Sequence, residues 1–384
     1  MHCEMTKIWL LALLFAIVNV PRVYAEDALT YLNRNGVDPE SYIIQKFDRS
    51  DVVLLAEDHA VQNNLLFVQG LIPKLYDAGV RNLGMEFGAW EDQETLDALL
   101  SAPAYDPQAA RDLMYSYNVA WPYREYQDMY RAAWAFNRGL PEGAEPFRIL
   151  NLSYRYDWRH FGVGDARTPE NMNAVFAKGT PDMYRAEVIE REVLEKNQKI
   201  LVLTGTVHAF SRFEMPVFNS WSDHFCDVVT WTLGNRLFQK YPDRVLSIAL
   251  HQPFPARANS GRRLVSPANG KIERLMHALG GGPMGFDLDS PVGALTDSSS
   301  YSICDAGFTL RKLFDGYIYL APLADLEGAT VDPEFFTGRD WEDIRQQLPD
   351  PDFRGETASL DALKKHIHDY VNLKWRYGDV LSEH

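Results

Sequence analysis

The chain has 384 residues, with 38 basic against 53 acidic side chains and a net charge of −15. A surplus of negative charge that large sets aside nucleic acid and anionic membrane surfaces as partners, since both are held through Lys and Arg. Hydrophobic residues make up 46 % of the chain, enough for a large core, yet no apolar run approaches the ~20 residues of a membrane-spanning helix.

Residues 1–25 read as a secretory signal. A short polar start with Lys7 leads into an apolar run over 8–20, and Val23-Tyr24-Ala25 fits a small-x-small cleavage site ahead of Glu26. Cys3 precedes the apolar run, so it is not a lipoprotein cysteine. The expectation is a periplasmic or secreted protein whose residues 26–384 form a single α/β domain. That segment keeps Cys226 and Cys304. An oxidising compartment permits a disulfide between them, and two separate buried thiols are the alternative.

After a mixed lead-in over 26–50, the run Val52-Val53-Leu54-Leu55-Ala56 reads as a central strand covered on both faces. It runs directly into Glu57, Asp58 and His59. Helical spacing follows over 62–78, with Pro73 inside it and Gly79 at its end. A second strand over 82–87 carries Glu86. Strand, helix and strand at this spacing form a βαβ unit, so the two strands are expected to be parallel. Helical, aromatic text fills 91–140 as an insertion after the second strand. Its helices over 91–100, 107–117 and 123–137 are set off by Pro103, Pro107 and Pro122. The aromatic cluster Tyr115, Tyr117, Trp121, Tyr123, Tyr126 and Tyr130 reads as packing between helices or as the wall of a ligand pocket.

A third strand over 147–152 leads to Tyr154 and Arg155. An irregular connection over 157–180 and a charged helix over 181–198 come next. The strand 199–204 is the clearest of all and runs into Gly205-Thr206-Val207-His208, with Arg212 four residues on. The stretch 221–241 reads as partly helical. A fifth strand over 245–251 ends in His251, 253–270 reads as loop, and 271–279 as a short helix. A Gly- and Ser-rich stretch over 280–300 reads as weakly structured. A sixth strand over 316–321 and a helix over 361–375 complete the α/β pattern, a mostly parallel sheet flanked by helices.

In such a sheet ligands bind beyond the carboxyl ends of the strands. Glu57 with His59, Glu86 and His208 all stand at such ends. Two imidazoles and two carboxylates on one rim can hold a divalent metal or activate water directly. Glu57 and His59 point to the same side of an extended segment, which leaves Asp58 as an outer partner or a helix N-cap. Walker A and G-x-S-x-G patterns are absent from the sequence.

At these residues the chain resembles the superfamily that joins Tiki-type metalloproteases, ChaN-like haem-uptake proteins and erythromycin esterase-like proteins. The first motif, Gly-Glu-x-His, is matched by Ala56-Glu57-Asp58-His59, with alanine where the family has glycine. A glutamate ending the next strand is matched by Glu86, and a later Gly-x-x-His by Gly205-Thr206-Val207-His208. The Tiki-type likeness implies a divalent metal (Mn, Zn or Co) on His59, Glu86 and His208. The esterase likeness implies a histidine that activates water against an ester. The ChaN likeness implies haem, bound through a tyrosine that no position here matches securely. The expected function is a secreted hydrolase acting on a small-molecule or peptide substrate. Glu57, His59, Glu86 and His208 would be catalytic, and Tyr154, Arg155 and Arg212 would bind substrate or its oxyanion. Haem binding without catalysis is the alternative.

Overall fold

The computed structural model describes residues 27–162, 164–349 and 357–382; residues 1–25, expected above to be a secretory signal, lie outside them. Among the described residues eleven strands occur in chain order: β1 (Val52–Glu57), β2 (Asn82–Ala89), β3 (Arg148–Ser153), β4 (Ile200–Gly205), β5 (Met215–Phe218), β6 (Cys226–Val229), β7 (Val245–Leu250), β8 (Phe254–Pro255), β9 (Leu264–Val265), β10 (Met284–Asp287) and β11 (Gly316–Tyr319). Seven of them form one sheet in the order β10-β11-β7-β1-β4-β2-β3. All pairings in it are parallel except that of the edge strand β10 with β11.

Alternation along β1 shows why its sequence is apolar without a break. Val53 and Leu55 join a core with the helices Gln62–Asp77, Gln93–Ser101, Pro107–Tyr117 and Arg124–Arg138, whereas Val52, Leu54 and Ala56 face Pro181–Ile189, Leu233–Lys240 and Lys271–Ala278. A strand covered on both faces has no side on which a polar residue could meet water. The helical text between β2 and β3 builds much of the first layer.

β4 enters the sheet between β1 and β2. The helix after β1 packs on one face and the helix after β4 on the other. Neighbouring strands whose connections leave in opposite directions open a crevice at their carboxyl ends, the usual ligand position in such sheets. The register sets Glu57 opposite Gly205. In β2 the pairing with β3 shifts between Met85 and Ala89, an irregularity of the kind that re-aims a side chain, here beside Glu86.

Two segments differ from the sequence reading, and a third, partly helical as expected, also holds a strand. The stretch 221–241 contains β6, which pairs with β5 as an antiparallel hairpin before the helix Leu233–Lys240 begins. The Gly- and Ser-rich stretch supplies β10, whose four residues were too few to stand out from their turn-forming neighbours. The charged helix expected over 181–198 ends at Ile189 and loosens into a π segment, Glu190–Leu194. Cys226 and Cys304 are joined as a disulfide, 78 positions apart.

Candidate active site

Glu57 leaves β1 almost fully buried. Its Oε1 accepts a hydrogen bond from Tyr126 Oη at 2.7 Å and lies 3.0 Å from His59 Nδ1. The two side chains that the extended segment points the same way thus meet each other. Next to them Ala60 takes a left-handed conformation at φ 59°, uncommon for a residue with a Cβ, and its N–H donates to Tyr126 Oη. Burial raises the Glu57 pKa, against the hydrogen bond from His59 that lowers it. At His59 burial opposes the imidazolium, but the hydrogen bond to Glu57 and the carboxylates of Glu86, Glu57 and Asp58 outweigh it, and the pKa rises.

On the other side of the crevice His208 Nδ1 lies 2.9 Å from Asp182 Oδ2, and its Nε2 lies 3.5 Å from Glu86 Oε1. Asp182 opens the helix Pro181–Ile189, and Arg185 follows one turn later on the same face. The buried Arg185 guanidinium contacts Glu86 Oε1 and Asp182 Oδ1, each at 3.1 Å, and donates through Nε to Ser153 Oγ at 3.0 Å. The other Glu86 oxygen accepts from Thr204 Oγ1 at 2.8 Å and from the Gly205 N–H at 2.9 Å. Burial would raise the Glu86 pKa, yet Arg185, with His208, His59 and the Gly205 N–H, drives it far below the usual carboxylate range. Asp182 is lowered too, with burial outweighed by His208 and Arg185.

Gly205 lies between the two imidazoles. A Cβ there would stand 2.7 Å from His59 Nε2 and 3.4 Å from His208 Cδ2, so the two rings approach within about 6 Å. Both line one cleft of ≈ 350 Å³ with Glu57, Asp58, Gln252 and Arg376. Each ring has its Nδ1 against a carboxylate, which selects the tautomer whose Nε2 can accept a proton. Phe87 and Trp121 meet His59 edge-on at 4.9 and 5.6 Å between ring centroids. Of the aromatic cluster, Trp121 and Tyr126 thus reach the site, while Tyr130 is buried in the helical layer and Tyr115 packs on Phe335.

Three residues expected here lie elsewhere. Tyr154 is buried, with its hydroxyl donating to the Gly179 carbonyl. Arg155 is tied to Asp92 and Ser116 and lines a different cavity of ≈ 440 Å³. Arg212 pairs with Asp315 in a cavity lined by Ser50 and Val245, which stand at the amino ends of strands. Proximity in sequence to a strand exit misled in each case, because the chain turns away after the exit. His251 is also buried, between Tyr317 Oη and Glu273. Asp58 does not cap the next helix, whose N-cap is Val61; it binds Arg376 and Tyr377 from the far end of the chain.

The donor set does not fit the expected metal. Among the described residues no group of three or more His, Cys, Asp or Glu is arranged to hold an ion. Glu86, the carboxylate assigned to it, already meets a permanent guanidinium on one oxygen and two hydrogen-bond donors on the other. A cation at that carboxylate would stand against Arg185. No step below is therefore routed through Mn, Zn or Co.

Asp182 and Arg376 were not singled out in the sequence, and Tyr126 stood out only as one member of the aromatic cluster. Asp182 and Arg185, three apart at the start of the helix that feeds β4, carried a readable signal in their spacing. Arg376 carried none, because 317 positions separate it from His59.

No family model and no curated protein matches the sequence. Similar solved structures include a succinoglycan biosynthesis protein, 11 % identical over 82 % of this chain and 99 % of that one with a TM-score of 0.48. An erythromycin esterase, EreC, is 12 % identical over 74 % and 92 %, with a TM-score of 0.45. The haem-binding ChaN of Campylobacter jejuni is 14 % identical over 56 % and 87 %, with a TM-score of 0.36. The last two are of the kinds that the motifs resemble, but at such identities and scores they carry nothing about chemistry. No helix among the described residues is long and apolar enough to cross a membrane.

Proposed function

We propose that this protein is a hydrolase that splits an ester or amide bond of a small-molecule or peptide substrate with two histidines and no metal. The observation that carries the reading is the paired arrangement over Gly205, with His59 held by Glu57 and His208 held by Asp182 on either side of one cleft. A carboxylate on Nδ1 orients an imidazole and raises its basicity, the logic of a positioned general base. In this reading His59 Nε2 takes a proton from water as the oxygen adds to the substrate carbonyl. The tetrahedral intermediate then collapses as the imidazolium formed on His59 returns that proton to the departing oxygen or nitrogen, while His208 Nε2 accepts a hydrogen bond from the adding hydroxyl and holds it in place. Glu86 and Arg185 hold the charge around His208 constant. Arg376, which donates to the His59 carbonyl and lines the cleft, supplies positive charge for the oxyanion. The cleft volume suits a small ligand or a short stretch of peptide. An oxidising location outside the cytoplasm is supported by the Cys226–Cys304 bond and by the signal-like leader.

The test is a panel of chromogenic esters and peptides on the purified protein and on His59→Ala and His208→Ala. Each variant should lose about 10²–10⁴-fold in kcat/KM, and wild-type activity should survive dialysis against a chelator. Wild-type rates in both variants would end the proposal. A Soret band retained on purification, with no hydrolysis, would favour the haem alternative.

A further inference from the structure

Among the described residues eight large hydrophobic side chains are exposed, and six of them (Phe218, Trp221, Phe225, Val228, Trp231 and Ile303) gather around the β5–β6 hairpin. Trp221, at the turn, is 94 % exposed. Phe218 pairs with Cys226 and Pro216 with Val228, so these four share one face of the two-stranded ribbon. Cys226 is bonded to Cys304, which brings Ile303 beside that face. Six large apolar side chains exposed on one hairpin and its disulfide partner form a patch of the kind that marks an interaction site.

The hairpin is braced rather than loose. Asn219 Oδ1 accepts from the Trp221 N–H at 2.9 Å, and Ser222 Oγ donates to the Cys226 carbonyl at 2.8 Å. His224 and Phe225 are both held at positive φ, 64° and 60°, conformations that persist only where the surroundings impose them. The disulfide pins the ribbon beside the segment Ser300–Ser302, whose Tyr301 lines the catalytic cleft.

Charge narrows the partner. From Phe213 to Trp231 the chain has no Lys or Arg and three carboxylates, Glu214, Asp223 and Asp227. Anionic lipid and nucleic acid would be repelled. Indole and phenyl groups on a hairpin that carries carboxylates and no Lys or Arg suit an outward-facing quaternary ammonium above an apolar layer.

We propose that the β5–β6 hairpin docks the protein on a zwitterionic, choline-bearing lipid surface, with Trp221, Phe225 and Phe218 entering the headgroup layer. The docking stands independently of the hydrolase reading, because its test uses no turnover. Full-length protein is floated with phosphatidylcholine vesicles and, separately, with phosphatidylglycerol vesicles. Wild type should rise with phosphatidylcholine and remain below with phosphatidylglycerol. Trp221→Ser/Phe225→Ser should weaken partitioning at least about tenfold, given the apolar area removed, and Trp221→Ala alone should weaken it measurably. These side chains are exposed, so the variants should melt as wild type does. Failure of wild type to float, equal flotation of the variants, or preference for the anionic vesicles would each overturn the proposal. So would a wild-type dimer in sedimentation that the double substitution dissociates, since a second copy would then cover the patch.

Discussion

Arg185→Leu tests the buried charge network most directly. Arg185 is 3 % exposed and lies between Glu86 and Asp182, themselves 5 % and 6 % exposed. Leucine fills part of the volume but leaves two carboxylates facing each other without a cation. Removing one partner of a buried ion pair typically costs about 3–5 kcal/mol. At an unfolding entropy of roughly 2.1 cal/mol/K per residue, that lowers the Tm of a chain this long by about 4–6 °C. The deficit should also depend on pH with a definite sign. In the wild type both carboxylates titrate below their ordinary range, so their contribution is present at neutral pH and is lost only as pH falls through the lowered values. In the variant they repel, their pKa values rise, and one takes up a proton as the solution is mildly acidified. Scanning calorimetry of both proteins between pH 5 and pH 8 should therefore show a gap that narrows toward pH 5. A variant within 1 °C of wild type, or a gap indifferent to pH, would refute the assignment of Arg185 as the cation that balances this site.

Other expectations concern the two imidazoles and the disulfide. Asp182→Asn should reduce kcat/KM by about 10²–10⁴ with a smaller loss of stability than Arg185→Leu, because it removes a charge rather than stranding two; comparison of steady-state rates and melting curves checks this. Glu57→Gln removes the hydrogen-bonding carboxylate that raises the His59 pKa. The acid limb of the kcat/KM–pH profile should consequently move to lower pH, and an unmoved limb would exclude His59 as the base. Gly205→Ala should displace His59, whose Nε2 stands 2.7 Å from the new methyl position. Activity should collapse while the far-ultraviolet circular dichroism remains that of wild type. Cys226→Ser/Cys304→Ser opens a link across 78 positions, worth about 4.5 kcal/mol in the chain-entropy account; chemical denaturation under non-reducing conditions measures it.

The α/β class, the parallel sheet and the placement of Glu57, His59 and His208 at strand ends, with Glu86 just past the last pair of β2 with β4, were legible in the sequence, because strand burial on two faces and the βαβ spacing are local properties. An unbroken apolar run such as Val52 to Ala56 has one stable environment, and a parallel strand order constrains where its end must lie. What only the tertiary structure decided is which groups answer those residues. Asp182, Tyr126 and Arg376 come from three helices distant in sequence. The rejection of Tyr154, Arg155 and Arg212 follows from the direction the chain takes after each strand, and composition does not encode that direction. The change from an expected metal site to a guanidinium-balanced carboxylate has the same origin. A carboxylate's partner is set by Coulomb attraction over a few ångströms, and only the packed chain brings Arg185 that close to Glu86.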